Sequence, residues 1–218
     1  MAISHHLNRK ENPVSTNVGA GSESSSGGKG IFIALIPWII FTVLAAHSTL
    51  KLGAIIALAA AVVIAVPGIR SGHPKSLEIG AVATFVGFVV VAFVVDASTA
   101  HWVARYARGI AALILAAIAF GSLLFVPFTE QYAREKVPEQ YWGSATFKAT
   151  NRKLTELWGF VFIAMVPFHI VAGAINTRGG NIICNWVIPL ALVSWGIKQT
   201  SAMTGSNTEP PQQLQKLA

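Results

Sequence analysis

Charge is what this sequence has least of. Only 11% of its 218 residues are Asp, Glu, Lys or Arg, against about 25% in a soluble domain, which is too little to coat a water-facing surface. Cysteine is nearly missing too. Cys184 stands alone, excluding an intrachain disulfide and the membrane dithiol oxidoreductases, whose chemistry needs a cysteine pair. Asp96 is the single aspartate, so the paired acids of an intramembrane aspartyl protease are absent. No Walker loop, HExxH or GxSxG occurs, and each supplies the phosphate cradle, metal ligands or nucleophile that its reaction needs. The chain is therefore expected not to be an enzyme and to carry neither cofactor nor metal.

What remains is apolar, and it comes in long runs. Hydrophobic residues make up 53% of the chain, and its mean hydropathy is +0.58. Crossing about 30 Å of hydrocarbon at about 1.5 Å per residue takes roughly 20 apolar residues. Six runs approach that length, at 30–47, 52–69, 77–95, 105–126, 154–175 and 182–198. The fold class they predict is all-α, a polytopic transmembrane bundle of about six helices. Residues 1–29, with the Ser/Gly-rich stretch from Ser22 to Gly28, lack the apolar content to fold and are expected to be a disordered N-terminus, as is the tail 199–218. The run at 30 begins too late and is too long for a cleaved signal peptide. Whether 30–47 and 52–69 form a full crossing hairpin stays open.

Orientation follows from the basic residues. Arg9, Lys10, Lys29, Arg70, Lys75, Arg134, Lys136, Lys148, Arg152, Lys153, Lys198 and Lys216 fall on one side, twelve in all, and Lys51, Arg105, Arg108 and Arg178 on the other, four in all, accounting for the sixteen present. Positive charge concentrates on the cytoplasmic side of membrane proteins, so both termini and the segment 127–153 are expected in the cytoplasm, with the chain in the cell inner (plasma) membrane. The net charge of +7 sits beside the apolar runs, not along a continuous face, which argues against nucleic acid as a partner. Helices in lipid associate through small residues. The predicted seams are Gly53, Ala57, Ala61 and Ala65 in the second span, Gly80, Ala83 and Gly87 in the third, and Leu113, Ala117 and Gly121 beside an alanine stripe in the fourth.

Two places carry candidate functional residues. The segment 127–153 mixes charge with aromatics, which collect at headgroup depth, and Pro138 should split it in two. It reads either as a loop resting on the inner leaflet or as a docking surface for a protein partner or anionic lipid, presented by Phe128, Tyr132, Arg134, Tyr141 and Trp142. Within the spans, His169 just after Pro167 is the most polar residue. It reads as a helix-stabilising group beside the carbonyl that the proline frees, or as part of a ligand site or polar path with Asn185. His47 makes a bis-histidine haem a further alternative, although the second histidine pair usual in such cytochromes is missing. Asn176, Asn181 and Asn185 read as a turn and its helix cap.

The order of features also resembles a known family. Arg70, Lys75 and Glu78 precede a helix, Asp96 marks an acidic turn, and Trp102 with Arg105 opens a helix ending in GSLL (Gly121 to Leu124). Pro127 starts an aromatic-rich approach to LTELWGFVF (Leu154 to Phe162), and NxxCNW (Asn181 to Trp186) leads to the last helix. Over roughly residues 31–198 this is similar to the intracellular septation protein A family of bacterial inner-membrane proteins and to related actinobacterial membrane proteins. The chain departs from that family in its added N-terminus and around Trp158. The resemblance implies a role in cell-envelope integrity and cell division through protein partners, with no catalytic residues to carry over. Expected partners are the lipid bilayer, envelope or division proteins, and a second copy of the chain. A channel or facilitator for small solutes is the alternative.

Overall fold

The structure is a computed structural model that describes residues 26–47 and 49–205. Of the termini expected to be disordered, 1–29 and 199–218, residues 1–25 and 206–218 lie outside the described residues, as does the His47 side chain, whereas 26–29 and 199–205 are helical.

The architecture is all-α. Helix α1 spans Ser26–His47, α2 Leu50–Arg70, α3 Ser76–Val94 and α4 Ala97–Ser122. Short α5 (Phe128–Ala133) and a 3-10 turn (Glu139–Tyr141) lead to α6 (Ala145–Ile175). Helix α7 (Arg178–Ile182), a π-helical turn (Ile183–Val187) and α8 (Ile188–Gly205) then run on as one rod. Helices α2, α3, α4, α6 and the 178–205 rod are each long and apolar enough to span a bilayer, and α1 adds a shorter apolar core at Gly30–Leu44. The chain is a multi-pass membrane protein.

Helix starts are set by side-chain oxygens that accept otherwise unpaired amide hydrogens. Thr49 caps α2, Asp96 caps α4, Ser144 caps α6 and Thr177 caps α7. Helix α6 ends where Asn176 adopts a left-handed conformation (φ 48°), which Asn tolerates better than most residues. The Asp96 carboxyl is held well below the usual carboxylate range by the Thr99 hydroxyl first, then by the Ser98 side chain and the Thr99 amide. A carboxylate with a depressed folded pKa stabilises the fold above its unfolded pKa of about 3.9, and that contribution disappears as pH falls through the lower folded value. The melting-temperature gap between wild type and Asp96→Ala should therefore stay constant above about pH 5 and narrow below about pH 4, as thermal unfolding in detergent will measure.

Several boundaries differ from the sequence expectation, for one reason. Hydropathy marks only the part of a helix inside the hydrocarbon, whereas hydrogen bonding continues past it. Helix α1 begins at Ser26 instead of 30, α4 at Ala97 instead of 105, α6 at Ala145 instead of 154, and the last helix reaches Gly205 instead of 198. With 31 residues, α6 is about 46 Å long, so its polar first turns stand beyond the apolar layer.

The interior is layered. Helices α1, α2 and α3 pack side by side, α4 packs on α3 and most extensively on α6, and α8 lies outside against α6. The predicted α2 seam is buried, with Gly53, Ala57, Ala61 and Ala65 facing protein. Two other predicted seams are corrected. In α3, Ala83 and Gly87 face outward and the buried stripe is Leu77, Ala81, Phe85, Phe88 and Ala92. In α4, Leu113 and Ala117 face outward, and the neighbouring alanines Ala107, Ala111, Ala112, Ala116 and Ala119 are buried. Large rings win in α3 because Phe85 packs against Trp38 and Phe41 of α1, with ring centroids 5.1 and 5.3 Å apart. Such pairs add attraction that a small-residue stripe lacks.

Candidate functional site

The segment 127–153 is built into the bundle. Phe128 and Tyr132 are fully buried, so they are anchors, and their expected place on a docking surface is corrected. The reason is local geometry: α5 turns the two residues, one helical turn apart, onto the face that meets the bundle. The Phe128 amide donates to Ser122 Oγ (3.0 Å). Thr129 Oγ1 donates to the Asn151 carbonyl (2.7 Å) and lies 2.9 Å from Thr155 Oγ1. Gln131 spans 55 residues to clamp the start of α3, accepting from the Ser76 amide (2.6 Å) and donating to Ser76 Oγ (2.7 Å).

A charged group closes this clamp. Lys75 Nζ donates to Glu135 (2.6 Å) and Glu78 (3.3 Å) and lies 4.6 Å from the centre of the Tyr132 ring, while the Tyr132 hydroxyl donates to Glu78 (3.4 Å). Burial pulls the Lys75 pKa down, but the hydrogen bond to Glu135 and the two carboxylate charges outweigh it and leave it raised. Burial first, then the Glu78 charge, pushes the Tyr132 phenol far above its ordinary value, so it stays a protonated donor. Glu78 is buried as well, which its position near a helix end did not reveal.

Of the other three predicted residues of this segment, Tyr141 stays exposed and Arg134 and Trp142 are half-buried. Tyr141 is 52% exposed. Arg134 bonds to Glu130 (2.6 Å) and lies over the Trp142 ring at 5.1 Å, and Trp142 Nε1 donates to the Val137 carbonyl (2.7 Å). Pro138 breaks the segment as expected, directly before the 3-10 turn.

At the opposite end of the bundle, His169 and Asn185 meet. His169 Nδ1 and Asn185 Oδ1 are 2.7 Å apart, Asn185 Nδ2 donates to Asn181 Oδ1 (2.9 Å), and Asn181 Nδ2 donates to the Thr177 carbonyl (3.0 Å). His169 thus ties α6 to the π-helical turn instead of serving the carbonyl freed by Pro167. Asn176 fits the expected turn, whereas Asn181 and Asn185 form a hydrogen-bonded chain. Hydrogen bonds of this kind inside membranes contribute about 0.6 kcal/mol on average and up to about 1.7. Asn185→Leu should cost about 1 kcal/mol in unfolding measurements on the purified protein.

Sequence reasoning assigned Arg108 to an outer flank and missed its role within α4. Its Nε and Nη2 both donate to the Thr42 carbonyl of α1 (3.1 and 3.0 Å), and it lies 6.0 Å from the centre of the Trp186 ring. It therefore links the first and last helices through α4. The buried Ser122, Asn151 and Thr155 were also missed; the i,i+4 spacing of Asn151 and Thr155 was the available signal.

Comparison with family models, curated proteins and solved structures yields no match to this chain.

Proposed function

We propose that the protein is a non-enzymatic membrane scaffold that works through protein partners in cell-envelope maintenance or cell division, with segment 127–153 as its docking face. One observation carries the proposal. Buried Phe128 and Tyr132 anchor this segment, with half-buried Gln131 bonded to α3 and Thr129 bonded to α6, so exposed Tyr141 and half-buried Arg134 and Trp142 are displayed from a rigid base. A preorganised surface loses less entropy on binding than a free loop. The twelve-to-four distribution of basic residues supports a cytoplasmic location for this face, and the likeness to the septation family supports the biological setting.

The facilitator alternative is less well supported. The chain of polar groups from Thr177 through Asn181 and Asn185 stops at His169. Further along α6 toward the 127–153 end come Met165, Phe162, Val161 and Trp158, all buried and apolar. A solute path would have to cross that layer without polar groups.

A photocrosslinking amino acid at Tyr141, which is exposed, and not at Tyr132, tests the scaffold in cells. Capture of envelope or division proteins is the expected result. Adducts only to lipid or to a second copy of the chain would overturn it, and solute flux in proteoliposomes abolished by His169→Ala would favour the facilitator.

A further inference from the structure

A cavity of about 700 Å³ lies at the 127–153 end, between the first turns of α1, α5, the start of α6 and the last turns of α8. Small-molecule sites run about 300–1,000 Å³. Segment 127–153 supplies part of its wall, but Arg134, Tyr141, Trp142 and the His169 chain do not line it, and three features define what fits it.

The lining grades from polar to apolar. Ser144, Thr146, Ser201 and Thr204, at the ends of α6 and α8 and all exposed, form the mouth. Leu154, Trp158, Ile197 and Leu35 line the depth. From Thr146 to Trp158 the cavity follows α6 for about 18 Å. It also borders the bilayer, because Phe32 and Ile197 line it while remaining 43% and 40% exposed.

No Asp, Glu, Lys, Arg or His occurs in the described lining, so an ionised head group drawn in as far as buried Asn151 would meet no counter-charge among the described residues, and an unpaired ion at that depth is strongly disfavoured. A neutral head with hydroxyls is matched by hydroxyls and amides.

An acceptor waits in the wall. Asn151 is only 5% exposed, and its Nδ2 donates to the Phe147 carbonyl (2.9 Å). Among the described residues no donor reaches its Oδ1, and that oxygen is not sealed inside protein. Nearby polar groups are committed to structure: Thr129 bonds to α6, and Thr200 accepts from Trp158 Nε1 (3.2 Å) while donating to the Gly196 carbonyl (2.9 Å).

We propose that this cavity binds a neutral lipid with a hydroxyl head, of the diacylglycerol type. The head sits at the mouth and donates to Asn151 Oδ1, and an acyl chain lies along Leu154, Trp158 and Ile197. Entry is sideways from the bilayer past Phe32.

The test uses the full-length protein in zwitterionic phospholipid nanodiscs containing either photoactivatable diacylglycerol or photoactivatable phosphatidic acid with the same chains. Diacylglycerol adducts are expected on residues 147–158 and 197–204, at least tenfold above those from phosphatidic acid. Ser201→Trp, which fills the mouth, and Asn151→Leu, which removes the acceptor at nearly constant shape, should each lower diacylglycerol labelling about tenfold. Equal labelling by the two lipids would overturn the neutral-head assignment. Labelling unchanged in both variants, or adducts only elsewhere, would overturn the site. Loss in Ser201→Trp alone would overturn the role of Asn151. If Ser201→Trp does not elute as wild type does, Asn151→Leu decides.

Discussion

Gly173→Leu should be among the most damaging single changes in this bundle. A Cβ at position 173 meets Tyr106 carbons at 2.7 and 2.8 Å and the Arg105 carbonyl oxygen at 3.3 Å. Tyr106 is not free to swing clear, because its ring packs on Trp102 with centroids 5.0 Å apart, and the carbonyl belongs to the backbone of α4. The longer leucine must therefore push α6 away from α4, its most extensive packing partner. Overpacking of this kind costs about 1–3 kcal/mol, and the backbone contact places this variant toward the upper end. Thermal or denaturant unfolding in detergent will measure it. Gly87→Leu is the control: nothing lies within 4 Å of a Cβ there, and an outward substitution should change stability by less than about 0.5 kcal/mol. Equal effects of the two changes would mean that α4 and α6 do not meet at Gly173.

Phe128→Ala should lower stability by about 3–5 kcal/mol, the range for removing a buried aromatic ring. Phe128 is fully buried, and its amide is bonded to Ser122, so the cavity left behind cannot easily collapse. The change should also loosen α5, and limited proteolysis within 127–153 should quicken with it. Tyr141→Ala removes a ring of similar size from an exposed position and should leave both readouts nearly unchanged. This contrast bears directly on function. If Phe128→Ala were harmless, 127–153 would be a loose loop, and the rigid base on which the scaffold proposal depends would be gone.

The clamp also has a pH signature. A lysine whose folded pKa is raised stabilises the fold below its unfolded value of about 10.4, and that contribution is lost as pH rises through the folded value. Alkaline titration of wild type against Lys75→Met should show the stability gap closing only in that strongly basic range. A gap that closed near neutral pH would mean that Lys75 is not held by Glu135 and Glu78.

Both candidate sites show where sequence reading reaches and where it stops. Phe128, Tyr132, Tyr141 and Trp142 look alike in sequence, as aromatics within one amphipathic stretch. Their separation into buried anchors and surface residues depends on the angle α5 takes, which Gln131 fixes through Ser76, 55 residues away. His169 stood out as a polar residue in an apolar run, and Asn185 as one of three nearby asparagines. That they meet at 2.7 Å depends on how the π-helical turn rotates the start of the last helix against α6. The cavity left no trace in sequence, since its walls come from four separated stretches that share only the end of the bundle at which they lie.

The sequence by itself determined that this is a multi-pass bundle of helices, because hydrocarbon thickness and the near-absence of charge act on each run of about twenty residues independently of the others. It also located the α2 seam, where small residues repeat at the period of a single helix. Only the tertiary structure decided which faces of α3 and α4 turn inward, that Phe128 and Tyr132 are buried, that Arg108 reaches α1, and that Asn151 borders a cavity. Those outcomes depend on the rotation and tilt of helices against one another, and packing between distant segments sets them, not the hydropathy of any one.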